Sequence, residues 1–311
     1  MKENLKRVLS RITLKQLRAF DAVVRTGTIS AAAQSLSVTP PAVTMQMRLL
    51  ENEAGLPLLE RTESGLRLTD AGQLILDAAH RCEVALEDCG EALASLRGAN
   101  SGHVSVGVVS TAKYFAPRAL AVFARNHAKV DVRLSVGNRG KTIASLRDYE
   151  LDFAVMGRPP DSFDVEHAII GDHPHIIVAP PGHPMAKRKN IAISELASQT
   201  FLLREEGSGT RLLMQRLFSE VGLNPNIGME IGSNETIKQA VMAGLGIALI
   251  SAHTVAPELQ EGRIVQIRAE GLPVVRQWFV VKRKDKSLLP ASQALWDFLA
   301  QAGVDFLPAL K

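Results

Sequence analysis

Apolar positions along the first sixty residues recur at helical spacing, broken at short intervals by turn residues. Leu14, Leu17, Phe20 and Val24 mark one amphipathic helix that completes a three-helix core. Thr28 is placed to cap a second helix, whose small residues Ala31, Ala32 and Ala33 let a neighbour approach closely. Leu36 closes that helix and Ser37-Val38 turns the chain. Thr39 stands where an N-cap hydroxyl belongs, with Pro40 at the first helical position. Val43, Met47 and Leu50 then point inward, leaving Thr44, Met45, Gln46 and Arg48 to face elsewhere. Two short helices joined in this way form a helix–turn–helix, which presents its second helix to a DNA major groove. After Gly55, the stretch LPLLERTESGLRLT reads as two strands around a Glu63-Ser64-Gly65 turn, a wing carrying Arg61 and Arg67. The alternative is a compact helical hairpin inside a larger core.

Thr69 can cap a long helix running through Leu96 to Gly98, roughly 40 Å at 1.5 Å per residue. Ile75, Cys82, Cys89 and Leu96 fall every seven residues, with Ala78, Ala85 and Ala92 three later and Ala79, Leu86 and Leu93 beside them. Such a seam suits close pairing of two helices, although one helix packed on its own domain would show the same residues. Cys82 and Cys89 are the only cysteines, too few for a disulfide framework and without metal-ligand spacing. They read as small apolar seam residues, with a redox switch across the seam as the other option.

Beyond Gly98-Ala-Asn-Ser-Gly102, a candidate hinge, strands and helices alternate. Strands are predicted at 103–109, 130–136 and 151–156, with helices at 117–127 and 141–148, implying a largely parallel sheet. A second α/β stretch has strands near 175–179, 201–204, 227–231 and 246–250 and helices near 208–221 and 235–243. Val274–Val281 and Pro290–Ala302 then read as a strand and a helix returning to the first part. The predicted architecture is α/β with an N-terminal winged helix–turn–helix (12–69), a linker helix (70–98) and a two-lobed, periplasmic-binding-protein-like domain (103–303). Lobe I takes about 103–174 and 275–303, and lobe II about 175–274. A ligand would lie between the lobes.

Charge sharpens this division. Residues 1–69 hold ten Lys/Arg and six Asp/Glu, a surplus of four, while the remainder carries 26 of each sign. The whole formal excess of the 311-residue chain therefore lies on the end that would meet phosphates. So modest a surplus favours a dimer, which would double the phosphate contacts. No apolar run approaches a membrane span and the N-terminus lacks a signal-peptide core, so a cytoplasmic protein is expected. Residues 1–10 receive no function.

Loops after strand ends carry binding groups in such sheets. Ser110-Thr111-Ala112-Lys113, Asn138-Arg139-Gly140-Lys141 and Gly157-Arg158 are three of them. The second lobe adds Arg204-Glu205-Glu206-Gly207-Ser208-Gly209-Thr210-Arg211 at a helix start, where free backbone N–H groups and hydroxyls hold anions. Each residue has a plainer reading: Ser208 and Thr210 as helix caps, Arg158 as a solvated loop charge. Five cations from four loops, Lys113, Arg139, Lys141, Arg158 and Arg211, point to a phosphorylated or carboxylated metabolite. Enzyme readings lack support. Ser110 to Lys113 has SxxK spacing without its partner motifs, and His173, His175 and His183 read as surface or locally bonded residues at a turn. No catalytic residue, metal site or resident cofactor is assigned.

The run L-x2-L-x2-F at Leu14, Leu17 and Phe20, then GTISAAA, TPPAVT, LLE, GLPLLER and LTDAG, resembles the LysR-type transcriptional regulators. TPPAVTMQMRLLE is similar to the subgroup that controls carbon-fixation (Calvin-cycle) operons. Two positions differ from the wider family: Pro40 stands where many members have Gln, and Met45 where many have Arg. The resemblance carries over Thr44 and Arg61 as DNA-contacting, and the helix–turn–helix reading adds Thr39, Pro40, Pro41, Met45, Gln46 and Arg48 on the face toward the groove. The resemblance implies an effector set of Ser110, Thr111, Asn138, Arg158 and Thr210, to which helix position adds Ser208 and charge adds Lys113 and Arg211. It further implies promoter DNA, a homodimer or homotetramer and RNA polymerase as partners. The implied effector is a sugar phosphate, phosphoenolpyruvate or NADPH. The alternatives are a small-anion-binding module without DNA binding, and an enzyme acting on a phosphorylated metabolite.

Overall fold

The computed structural model describes residues 11–62, 65–96 and 102–310, which form two compact units divided at Leu96/Arg97. Residues 1–10, Glu63 and Ser64 of the wing turn, 97–101 of the candidate hinge, Lys311, and the side chains of Asp88, Glu91, Ala92, Ala94, Ser95 and Leu96 lie outside the described residues.

The first unit opens with α1 (Leu14–Thr26), α2 (Ile29–Ser35) and α3 (Pro40–Ala54). Thr13 starts α1 with a reciprocal capping box: its hydroxyl accepts from the Gln16 N–H, and the Gln16 side chain accepts from the Thr13 N–H. Gly27 ends α1 in the left-handed region at φ 76°, which only glycine adopts without strain. Thr28 caps α2 through the Ala31 N–H. Thr39 takes the extended backbone of an N-cap, but its hydroxyl makes no capping bond, a departure from the sequence expectation. Pro41, at the second helical position, removes one of the N–H groups such a bond would serve.

Leu17, Phe20, Val23, Ala32, Val43, Met47 and Leu50 make the core of this unit. Val23 rather than Val24 is the fully buried position of α1, and Leu14 is 39% exposed. The wing pairs β1 (Leu59–Thr62) with β2 (Gly65–Leu68), Arg61 opposite Leu66. A long helix α4 (Asp70–Leu96) follows, capped by Thr69, whose hydroxyl accepts from the Gly72 N–H. Leu76 and Ala79 of α4 are buried in the first unit's core, whereas Cys82, Leu86, Cys89 and Leu93 are exposed.

In the second unit β3 (Gly102–Val109), α5 (Ala116–Asn126), β4 (Val130–Gly137), α6 (Arg139–Arg147) and β5 (Phe153–Met156) build the first lobe. A long strand β6 (Val165–Ala179) then crosses to the second lobe. There lie α7 (Ile193–Leu196), β7 (Thr200–Arg204), α8 (Gly209–Ser219), β8 (Asn226–Ile231) and α9 (Asn234–Met242). They are followed by β9 (Ala248–Ser251), α10 (Ala256–Gln260) and β10 (Val265–Ile267). Finally β11 (Val274–Arg283) crosses back, and α11 (Pro290–Ala302) packs on the first lobe.

One seven-stranded sheet runs β10-β6-β11-β5-β3-β4, with β9 also on β6 and a separate parallel pair β7-β8. The three strands expected to be parallel are so, β3 lying parallel to β4 and β5, and the strands β6, β9, β10 and β11 add antiparallel pairs that make the whole sheet mixed. The strand expected at 175–179 is ten residues longer at its start. The His173-Pro174-His175 stretch, read as a turn, lies inside it, and Pro174 sits opposite Val275 in the ladder with β11. Each lobe has its own core, Phe115, Phe123, Phe153, Trp278 and Trp296 in the first and Phe201, Leu213, Phe218 and Ile247 in the second.

Candidate functional site

Two surfaces carry the candidate chemistry. The first is the outer face of α3. Because Val43, Met47 and Leu50 are buried, the helical period turns Pro40, Pro41, Met45 and Arg48 outward. Pro40, Pro41, Thr44, Met45, Arg48 and Leu49 line a shallow depression there. Thr39 is exposed and Gln46 half-buried. The Thr44 hydroxyl donates back to the Pro40 carbonyl at 3.0 Å and keeps lone pairs free to accept. On the wing Arg61 is exposed, while Arg67 pairs with Glu60. A protruding helix start flanked by a cationic hairpin is the shape that enters a major groove with phosphates on either side.

The second surface is a cavity of about 380 Å³ between the two lobes of the second unit. Strand ends of the first lobe supply Val109, Ser110, Thr111, Asn138, Arg139, Gly157 and Arg158. The crossing strands bring His173, His175 and Arg276. The second lobe brings Arg204, Ser208 and Thr210, with Leu212, Leu213 and Arg216 from α8. Ser110, Thr111, Asn138, Arg158, Ser208 and Thr210 of the predicted set therefore stand together. Gly209, Leu212, Leu213 and Arg216 share the face of α8 turned to the cavity, since 0, 3, 4 and 7 is the helical repeat.

Lys113 and Arg211 do not line it. Arg211 lies off that face and pairs with Glu230 at 2.5 Å, also donating to the Arg204 carbonyl. Lys113 lies beside Tyr114, its ammonium 5.2 Å from the ring centre. Lys141 likewise falls outside the lining, and its N–H serves the Asn138 cap of α6. Arg204 opens the stretch read as the second lobe's binding loop; the missed cations, Arg216 and Arg276, come from the second turn of α8 and from within β11. Only the 209–216 helical spacing could have pointed to one of them.

Five arginines face one carboxylate, Asp161, in this wall. Asp161 is taken by Arg158 at 2.7 Å. Arg204 is buried and fully engaged, ion-paired with Glu205 at 2.7 Å and bonded to Asn234 and to Ser110 Oγ. Burial opposes ionisation of Glu205, but Arg204 outweighs it and holds the carboxyl below its ordinary range. Arg139 donates to the carbonyls of Arg158 and Pro159. Burial, then the charges of Arg158 and Arg276, lower its pKa. Arg276 has no ion pair among the described residues, and burial with Arg158 and Arg216 lowers its pKa too. The lowered guanidinium pKa values report burial first and crowded positive charge second, and an anion would relieve the crowding.

His173 and His175 are neither surface residues nor at a turn. They are buried within β6 on one face, and the His173 ring stacks on Trp278 with centres 3.6 Å apart. Trp278 in turn donates to His253 Nδ1 at 3.1 Å. Burial, then His175, His253 and Arg276, push His173 well below the ordinary imidazole value. Burial and Arg276 bring His175 to about 3, and burial brings His253 to about 4. All three rings are therefore neutral near pH 7. His183 has a separate role, its Nδ1 accepting from the Met185 N–H.

Comparison with known proteins decides the family. Residues 97–303 match the LysR substrate binding domain, and residues 14–73 match the bacterial regulatory helix-turn-helix protein, lysR family. The chain belongs to the LysR family. It is 52% identical over 300 residues to an HTH-type transcriptional regulator CbbR of Xanthobacter flavus, covering 96% of this chain and 90% of that one. A RuBisCO operon transcriptional regulator of Allochromatium vinosum is 41% identical over 93% of this chain and 95% of its own. The CcmR regulatory domain of Synechocystis PCC6803, solved in complex with 2-PG, superposes with a TM-score of 0.64 at 33% identity. It spans 67% of this chain and all of that domain. This LysR-type chain is thus a DNA-binding transcriptional regulator with an effector-binding domain, not an enzyme. Among the described residues no helix is long and apolar enough to cross a membrane.

Proposed function

We propose that this LysR-type regulator controls a carbon-fixation operon, binding promoter DNA in the cytoplasm as a homodimer or homotetramer and engaging RNA polymerase there. The names of its relatives support the operon class. The effector is a small phosphorylated or carboxylated metabolite such as a sugar phosphate, phosphoenolpyruvate or 2-PG. One observation carries that choice: a cavity between the lobes walled by five arginines and a single, already paired carboxylate. At about 380 Å³ it lies at the small end of ligand sites, about 300–1,000 Å³, so NADPH would enter only with the lobes further apart.

The candidate DNA contacts are Thr39, Pro40, Pro41, Thr44, Met45, Gln46, Arg48 and Arg61. Ligand affinity that differs between two lobe arrangements would couple the cavity to the assembly on DNA. The test is footprinting of purified protein on DNA upstream of a RuBisCO operon, with salt titrated, then repeated with 2-PG, phosphoenolpyruvate, a sugar phosphate and NADPH. A salt-steep, sequence-dependent footprint that one small anion alters is the expected result. A footprint unaltered by every one of them would remove the effector class, and the absence of specific binding at low salt would remove the operon.

A further inference from the structure

Among the described residues of the cavity wall, His173 is the one whose buried side-chain polar atoms have no hydrogen-bond partner at all. It is 4% exposed, and both ring nitrogens are unpartnered. A buried imidazole left in this way is disfavoured unless something in the cavity bonds it. The ring has little freedom to look elsewhere. One face stacks on Trp278, and His175 lies against it with ring centres 4.2 Å apart. A Cβ on Gly157 would stand 2.8 Å from Nδ1, so the glycine at the end of β5 leaves the room the ring occupies.

The strand register then places a charge beside it. Arg276 is the direct cross-strand partner of His173 in the β6–β11 ladder, so the two side chains emerge side by side on one face. Both line the cavity, and Arg276 lacks an ion pair among the described residues. An anion drawn to Arg276 brings oxygen atoms within reach of the neighbouring ring. The groups surrounding the ring are His175 on its own strand, His253 after β9, and Arg276 and Trp278 on β11. None of these is acidic, so the free protein offers nothing to hold a proton on both nitrogens.

We propose that His173 is a ligand-specificity residue of this cavity, an imidazole that donates one ring N–H to an oxygen of an anionic ligand whose charge Arg276 meets. The proposal rests on the small-anion reading of the cavity and adds to it a requirement. The ligand must present an acceptor oxygen next to its anionic group at the crossing strands, as a phosphate or carboxylate does and a purely apolar tail does not.

Calorimetric titration of the full-length protein with 2-PG and with phosphoenolpyruvate tests it. His173→Phe keeps an aromatic ring on Trp278 but has no N–H, and is expected to weaken binding about 10- to 100-fold, the loss of one hydrogen bond to a charged group. His173→Gln, which retains a donor, is expected to recover part of that loss. A second reading needs no change at His173. With Trp296→Phe, Trp278 is the sole tryptophan, and its emission should change on ligand addition. Parental affinity in His173→Phe, with binding lost in Arg276→Gln, would overturn the role of His173 and keep the anion site. Ligand bound with no change in Trp278 emission would overturn it as well. A parent that binds neither probe, nor inorganic phosphate, would overturn both.

Discussion

Arg204 at the end of β7 donates to Ser110 Oγ, just past the end of β3, at 3.1 Å, joining the second lobe to the first through a guanidinium only 3% exposed. The same group holds Glu205 and Asn234, and Asn138 reaches across the cleft to Glu205 and to the Glu206 carbonyl. The backbone adds a parallel tie, Gly140 N–H to the Gly207 carbonyl at 3.0 Å.

Arg204→Ala should therefore destabilise the second unit by about 2–3 kcal/mol. That is below the roughly 3–5 kcal/mol of a fully buried pair, because Glu205 remains partly solvated. Urea unfolding followed by Trp278 and Trp296 fluorescence checks this, and an unchanged midpoint would show the tie to be dispensable.

Arg61 is exposed on the wing, whereas Arg67 is already paired with Glu60. Arg61→Ala should reduce the slope of log K against log salt by about 1 per protomer, and Arg67→Ala by less. Cleft-ligand affinity should stay constant in both. Equal slopes for parent and Arg61→Ala would move the wing off the phosphates.

A Cβ at Gly72 would stand 2.1 Å from the Leu58 carbonyl oxygen, a backbone atom that cannot swing aside. Gly72→Ala should thus cost the first unit about 2–3 kcal/mol of packing. The expected signature is DNA binding lost at a lower temperature, with effector affinity intact; a parental thermal profile would refute the close approach.

Neutral buried histidines set the acid limit of the second unit. Folded pKa values near 3 for His175 and 4 for His253 lie below the ordinary 6.5. The unfolded chain therefore binds more protons, and stability falls as pH drops through 6.5 toward those values. Between pH 8 and 5 each ring that stays neutral removes about 2 kcal/mol. Asp285, lowered to about 2 by Arg283, adds a loss only below its ordinary 3.8. A urea midpoint equal at pH 8 and 5 would contradict this.

The helix–turn–helix was legible because Val43, Met47 and Leu50 write their burial into the period of one short segment. Glycine and threonine caps such as Gly27 and Thr28 are likewise local. Ser110, Asn138 and Thr210 could be read because loops at strand ends announce themselves. The roles of His173 and Arg276 could not: both stand within strands, and only the pairing of residues about a hundred positions apart in sequence brings His173 beside Arg276. The His173-Pro174-His175 run misled because a proline between polar residues has the composition of a turn, while pairing with β11 along its length, and with β9 from His175 onward, holds it extended. Arg211 misled through charge alone, since a residue one position off the cavity face of α8 points at Glu230 instead.

The chain passes between the lobes on β6 and on β11, side by side in one ladder, and His173 and Arg276 stand where they pass. A guest gripped there presses on the fulcrum and not on the rim of a lid. A small displacement of the pleat at that point is magnified with distance on either side, as at the short arm of a lever. Sensitivity to the guest then depends on the stiffness of the crossing ladder as well as on the grip. Substitutions such as Val275 or Gly171, whose side chains need never touch the guest, become the natural places to tune how loudly one lobe hears the other.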